Sequence, residues 1–155
     1  MSLKQHVIQA SVASVILAPL LGAKTLIIFL SAILIDIDHY FDFVIVTKRF
    51  GIRDMFKYHH PEWQKGRSRY MISLFHTVEV FILLFILGYW SHYFWLVLFG
   101  FCLHFIFDLY HLYRHHAISD KAFSILEYLI RRNSLRRNNQ KGYPVPDRDF
   151  WNAKD

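Results

Sequence analysis

Four long apolar segments, separated by polar breaks, run along the first 116 residues of the chain. The first extends from Lys4 to Leu21, the second from Thr25 to about Phe43, and the third from Tyr70 to Gly88. The fourth extends from Tyr93 to about Tyr110, with His116 as its furthest limit. Each holds 18 or 19 residues, close to the ~20 that a helix needs to cross a ~30 Å hydrocarbon core. Helices are the expected form because in lipid each backbone polar group must be satisfied within its own segment. Residues Gly22 to Lys24 join the first pair and Tyr89 to His92 the second. Links this short favour antiparallel neighbours. The expected fold is all-α: an integral membrane four-helix bundle of two helical hairpins over residues 1–116, then a cytoplasmic, interfacial basic tail over 117–155.

The first segment has a competing reading as a signal peptide cleaved after Ala23. Against it, Gln9, Ser11 and Ser14 weaken the apolar run, and the second segment follows at once, as a hairpin partner would. In the tail, Asp120 to Arg137 reads as an amphipathic helix. Phe123, Leu126, Leu129 and Ile130 share one face, and Arg131, Arg132, Arg136 and Arg137 follow. Such a helix suits an anionic leaflet; an ordinary solvated basic tail is the equal alternative. The final GYPVPDRDFWNAKD lacks a helical period and reads as extended.

Composition supports a membrane setting. Hydrophobic residues make up 54% and charged residues 19% of the chain, against about 45–50% and about 25% in ordinary globular chains. A water-soluble domain of this length could not bury so much apolar surface. Charge then orients the spans. The loop from Thr47 to Arg69 carries seven basic residues and the stretch after the fourth segment, from Arg114 on, carries nine, and Lys4 adds one more on the same side. Only Lys24 falls opposite. The positive-inside rule therefore places both termini and the long loop on the cytoplasmic side of a bacterial-type membrane. Topology accounts for the basic excess, so no nucleic-acid partner is expected. The single Cys102 excludes an intramolecular disulfide and a cysteine zinc site.

Ten histidines in the chain are the unusual count. With the orientation above, His6, then Asp36, Asp38, His39 and Asp42, then His76 and Glu79, then His104, Asp108 and His111 all lie towards the cytoplasmic end of their segments. His104, Asp108 and His111 follow i, i+4, i+7, and His76 and Glu79 follow i, i+3, each set on one helical face. Charges inside a bilayer are costly and face the bundle interior, paired or bound. No Lys or Arg deep in the spans matches these acids, so a divalent cation is the expected counter-charge. Mixed nitrogen and oxygen ligands suit Zn²⁺, and one to three ions fit the set. The expected ligands are His6, Asp38, His39, His76, His104, Asp108 and His111, with Asp36 and Glu79 as candidate catalytic bases. Taken singly, His6 reads more readily as an interfacial histidine than as a ligand, and His39 and His111 as interfacial or supporting residues as readily as ligands. Asp42 reads as an interface residue, and His59, His60, His115 and His116 as solvated or headgroup-facing residues.

The same residues carry a family resemblance. A histidine near the start (His6), the DIDH of Asp36 to His39, the HT of His76 and Thr77 and the H-x-x-x-D of His104 and Asp108 occur in that order across roughly residues 1–112. In this the chain resembles the YdjM-like family of membrane-bound metal-dependent hydrolases, itself distantly similar to zinc-dependent phospholipases C and single-strand nucleases. It departs from that pattern at Ile35, where the family often has Pro, and at Met71, where it often has a second histidine. The resemblance implies an all-helical, metal-dependent hydrolase. The expected function is hydrolysis of a phosphoester of a phospholipid or other amphiphile at the cytoplasmic leaflet, with membrane lipids as partners. Rival readings are a di-iron lipid hydroxylase or desaturase, suggested by HLYRHH at residues 111–116, a metal transporter or sensor, and a metal-free lipid-organising protein.

Overall fold

In the computed structural model, residues 3–59, 71–114, 118, 121–137 and 150–151 are described. The helices are α1 (Leu3–Leu21), α2 (Thr25–Leu34), α3 (Ile37–Thr47), α4 (Ile52–Tyr58), α5 (Val78–Gly88), α6 (His92–Arg114) and α7 (Ile125–Arg137). Two short strands, β1 (Met71–Ile72) and β2 (Lys121–Ala122), pair in parallel, Met71 with Lys121 and Ile72 with Ala122. The fold is all-α apart from this bridge.

Between α1 and α2 lies one 3-10 turn, Gly22–Lys24, where Gly22 takes φ +56°. Glycine adopts this left-handed conformation without steric cost. The turn reverses the chain. Helix α1 packs along α2, and His6, near the start of α1, comes within 3.7 Å of Asp36, just beyond the end of α2. Helices α5 and α6 form a second pair, joined by Tyr89–Ser91, with Gly88 pressed against the Trp95 indole so closely that a Cβ would overlap it. The central contact is between α2 and α6. There Gly100 lies against Ser31, and a Cβ on it would stand 2.6 Å from the Ile28 carbonyl oxygen. Small residues at a crossing let backbones approach this way, a frequent device where helices pack in lipid.

Three segment boundaries differ from the sequence expectation. The third apolar segment is helical only from Val78 to Gly88, eleven residues, about 16 Å at 1.5 Å per residue and half a hydrocarbon core. Upstream, Leu74–His76 forms a single 3-10 turn and Thr77 is extended, with the Thr77 hydroxyl donating to the Leu74 carbonyl (2.8 Å). Threonine here offers the backbone an alternative to helix. His76 and Glu79 therefore do not share a helical face. The second segment is interrupted at Ile35 and Asp36, between α2 and α3. The tail helix begins at Ile125 rather than near Asp120. Ser124 caps it: its hydroxyl accepts the amides of Leu126 (3.2 Å) and Glu127 (3.4 Å), while Glu127 reaches back to the Phe123 amide (3.0 Å). This is a variant of the capping box, and SILE is its sequence mark.

By length and composition, Lys4–Thr47 and His92–Arg114 are apolar enough to cross a membrane; the first of these contains the Gly22 reversal. Burial is mixed. Among the described residues the buried set includes His6, Thr25, Ser31, Asp38, His76, Thr77, His104 and Asp108 beside Ile28, Ile35, Phe43 and Tyr58, whereas Val15, Ile16, Leu20, Leu30, Ile82 and Ile106 are exposed. Extended exposed apolar surface of this kind suits a protein or membrane neighbour.

Candidate metal centre

The two hairpins turn at one end of the molecule, so their open ends meet at the other. That end gathers His6 from α1, Asp36 between α2 and α3, His39 from α3, His76 from the 3-10 turn before α5, and His104 and Asp108 from α6. Two sets of ligand atoms lie within 4.8 Å of one another: His6, Asp36, His104 and Asp108, and Asp36, His39 and His76. Asp36 belongs to both. Either set could hold a metal ion.

The hydrogen bonds around the rings point the same way. His104 Nδ1 is 2.7 Å from the Ala32 carbonyl oxygen, so it is the donor. His76 Nδ1 donates to Asp38 Oδ2 at 3.2 Å. In the neutral form of each ring Nε2 then carries the lone pair, and in both it is buried. His104 Nε2 faces Asp36 Oδ1 at 3.3 Å and Asp108 Oδ2 at 3.6 Å. His76 Nε2 faces the same two oxygens at 3.7 and 3.6 Å. Lone pairs and carboxylate oxygens repel unless something positive lies between them. These separations are longer than the about 2.7–2.9 Å typical of charge-assisted hydrogen bonds. Two ligands on a tetrahedral Zn²⁺ with bonds of about 2.05 Å stand about 3.3–3.4 Å apart. The donor set, the burial and the spacing fit a divalent cation, with each imidazole oriented through its other nitrogen, as metal-bound histidines usually are.

The remaining members complete the arrangement. His6 Nε2 lies 3.7 Å from Asp36 and 3.6 Å from Asp108, and its ring stacks on His104 at 4.1 Å between centroids. His39 Nε2 lies 3.6 Å from Asp36 Oδ1. The nearest fixed positive charge among the described residues is Lys121, whose Nζ is 3.8 Å from Asp108 Oδ2.

Other sequence candidates are placed differently. Asp36, read as a candidate base, stands among the ligand atoms shared by the two sets. Asp38, read as a ligand, lies outside both sets and accepts from His76 and from the Phe75 amide (3.0 Å). His111 lies outside both sets. Glu79 Oε1 accepts from the Ser124 hydroxyl (2.6 Å) and the Ile125 amide (2.9 Å), at the start of α7, and belongs to neither set. His60, His115 and His116 lie outside the described residues. His59 is part of the surround: its Nε2 donates to the His39 carbonyl at 3.2 Å, and burial holds its imidazole below the ordinary histidine value. Sequence reasoning read His59 as a solvated or headgroup-facing residue and left out Lys121. For Lys121 the missing signal is a strand pairing fifty residues distant, which no local pattern carries. No family model, no curated protein and no solved structure matches the chain.

Proposed function

We propose that this protein is a membrane-embedded, metal-dependent hydrolase that cleaves phosphoesters at the cytoplasmic leaflet. The observation that carries this reading is Asp36. It stands between two ligand sets whose imidazole lone pairs are turned towards carboxylate oxygens. A carboxylate shared in this way suits a pair of divalent ions, for which Zn²⁺ matches the nitrogen and oxygen donors best. His6, His104 and Asp108 would hold one ion with Asp36, and His39 and His76 the other. Bound there, such ions supply Lewis-acid polarisation of a phosphoryl oxygen and acidification of water at neutral pH. Over the reaction, water oxygen bonds to phosphorus, the phosphorus–oxygen bond to the leaving alcohol breaks, and the water proton ends on that alcohol.

The chain's own residues prepare the site. Asp38 and the Ala32 carbonyl set the rotation of His76 and His104. The close helix approach at Gly100 holds α2, and Asp36 just beyond its end, against α6 with His104 and Asp108. The apolar exterior, the two long apolar stretches and the one-sided basic residues support a four-helix bundle in the membrane with this end at the inner headgroups. The resemblance to the YdjM-like hydrolases agrees with the reading. Zinc as the metal and phosphoester as the substrate are tested together. Protein purified without chelator, supplied with a panel of phosphate mono- and diesters, is expected to release product. Activity should vanish on chelation and return with Zn²⁺. Metal-loaded protein inert towards the whole panel, or turnover unchanged after the metal is stripped, removes the proposal.

A further inference from the structure

An open groove of about 360 Å³ runs beside the metal centre, lined by His76, Val78, Phe81, Phe105, Leu109 and Phe123. Its size falls within the ~300–1,000 Å³ of small-molecule sites. His76 is the one polar residue in that lining; the ring presents its apolar face to the groove, while its buried Nε2 faces Asp36 and Asp108 behind the wall. The other five are hydrocarbon or phenyl, and Val78 is half exposed at the outer surface.

The groove and the charge of the site are joined by one strand. Phe123, which forms a wall of the groove, lies two residues after Lys121, whose Nζ reaches Asp108. This segment is held in place. β2 pairs with β1, the Val78 amide donates to the Phe123 carbonyl at 2.8 Å, and Glu79 binds Ser124 and Ile125. Lys121 is therefore a placed cation, with its side chain 19% exposed. Asp108 stands between Lys121 and the candidate metal position, so the lysine adds a second positive charge at the same carboxylate. Formal charge agrees: Asp36, Asp38 and Asp108 together with Lys121 sum to −2, so two divalent ions leave +2. That matches a phosphate dianion.

We infer that the substrate is an anionic amphiphile: its phosphate meets Lys121 beside Asp108, and its hydrocarbon chain lies in the groove next to His76. This deepens the hydrolase reading and rests on it. A free phosphate would leave the groove unused; a neutral lipid would leave the net positive charge of a two-ion site uncompensated.

The test is binding of decylphosphonate, which keeps charge and chain but has no cleavable ester, to zinc-loaded protein in nanodiscs. Methylphosphonate is the chainless comparison, and a decylphosphonate with a terminal diazirine maps the chain. Each buried methylene is worth ~0.8 kcal/mol, about fourfold, so decylphosphonate should bind more than about tenfold tighter than methylphosphonate. Leu109→Trp should shrink that ratio to about threefold or less by filling the groove. Lys121→Ala should weaken decylphosphonate by about tenfold or more and Lys121→Arg should restore it, since a hydrogen bond to a charged group is removed and replaced. Cross-links should fall on Phe81, Phe105, Leu109 or Phe123. Equal affinity for the two phosphonates, cross-links on the opposite helix faces, or unchanged affinity in Lys121→Ala would each overturn the inference. Hydrolysis of methyl phosphate as fast as decyl phosphate would remove the chain site and keep the hydrolase. Binding as described without hydrolysis of decyl phosphate would do the reverse.

Discussion

Asp38 accepts two hydrogen bonds from the segment that carries His76, one from the ring itself at 3.2 Å and one from the Phe75 amide at 3.0 Å. The carboxylate thus fixes both the backbone that presents the imidazole and the imidazole's rotation. Asp38 acts through His76, and the distinction from a direct ligand is measurable. Asp38→Asn is expected to weaken metal binding by about 10–100-fold, the usual cost of losing such a partner. Asp36→Ala, which removes a shared ligand, should prevent binding in both sets. Titration against a chelator of known affinity separates the two outcomes.

The approach of α6 to α2 at Gly100 predicts a stability effect with no chemistry in it. Any larger residue must push against the Ile28 carbonyl and Ser31. Gly100→Val should cost about 1–3 kcal/mol, the range for overpacking a close contact. Phe99→Leu, on the exposed side of the same helix, should be nearly neutral. Unfolding of both variants in the same detergent checks this.

Glu79 ties α5 to the start of α7. Glu79→Ala is expected to speed hydrogen exchange at Ile125 and to expose the tail to protease, while metal content stays at the wild-type level. Loss of metal in that variant would place Glu79 in the centre instead.

Orientation is tested by chemistry at single cysteines in a Cys102→Ser background. An impermeant maleimide added to intact cells should label Lys24→Cys and leave Lys48→Cys unlabelled until the membrane is opened. The basis is the proposed four-span topology, which would gather the other basic residues on one side with Lys24 opposite.

Much of this site could be read before the structure, because helix period and chain reversal are both local signals. Two short links return the chain, so polar residues near the far ends of Lys4–Leu21, Thr25–Phe43 and Tyr93–Tyr110 must meet. His6, Asp36, His104 and Asp108 do. The reading is weaker where it assumes unbroken helix. It placed His76 and Glu79 on one face, but the 3-10 turn and extended Thr77 send them apart, His76 to Asp38 and Glu79 to Ser124. The tail helix start was recoverable, since Ser124 and Glu127 carry the capping spacing. Lys121 was not. The expected topology already accounted for its basic charge, and its position beside Asp108 depends on a pairing with Met71 far away in the chain.

The central claim is that the acids and imidazoles at this end are held together by divalent cations. Elemental analysis of wild-type protein purified without chelator, beside Asp36→Ala prepared identically, tests it most directly. Close to two zinc ions per wild-type chain are expected, with almost none in the variant. Wild-type protein free of metal, or an Asp36→Ala variant that keeps its full complement, would contradict the account.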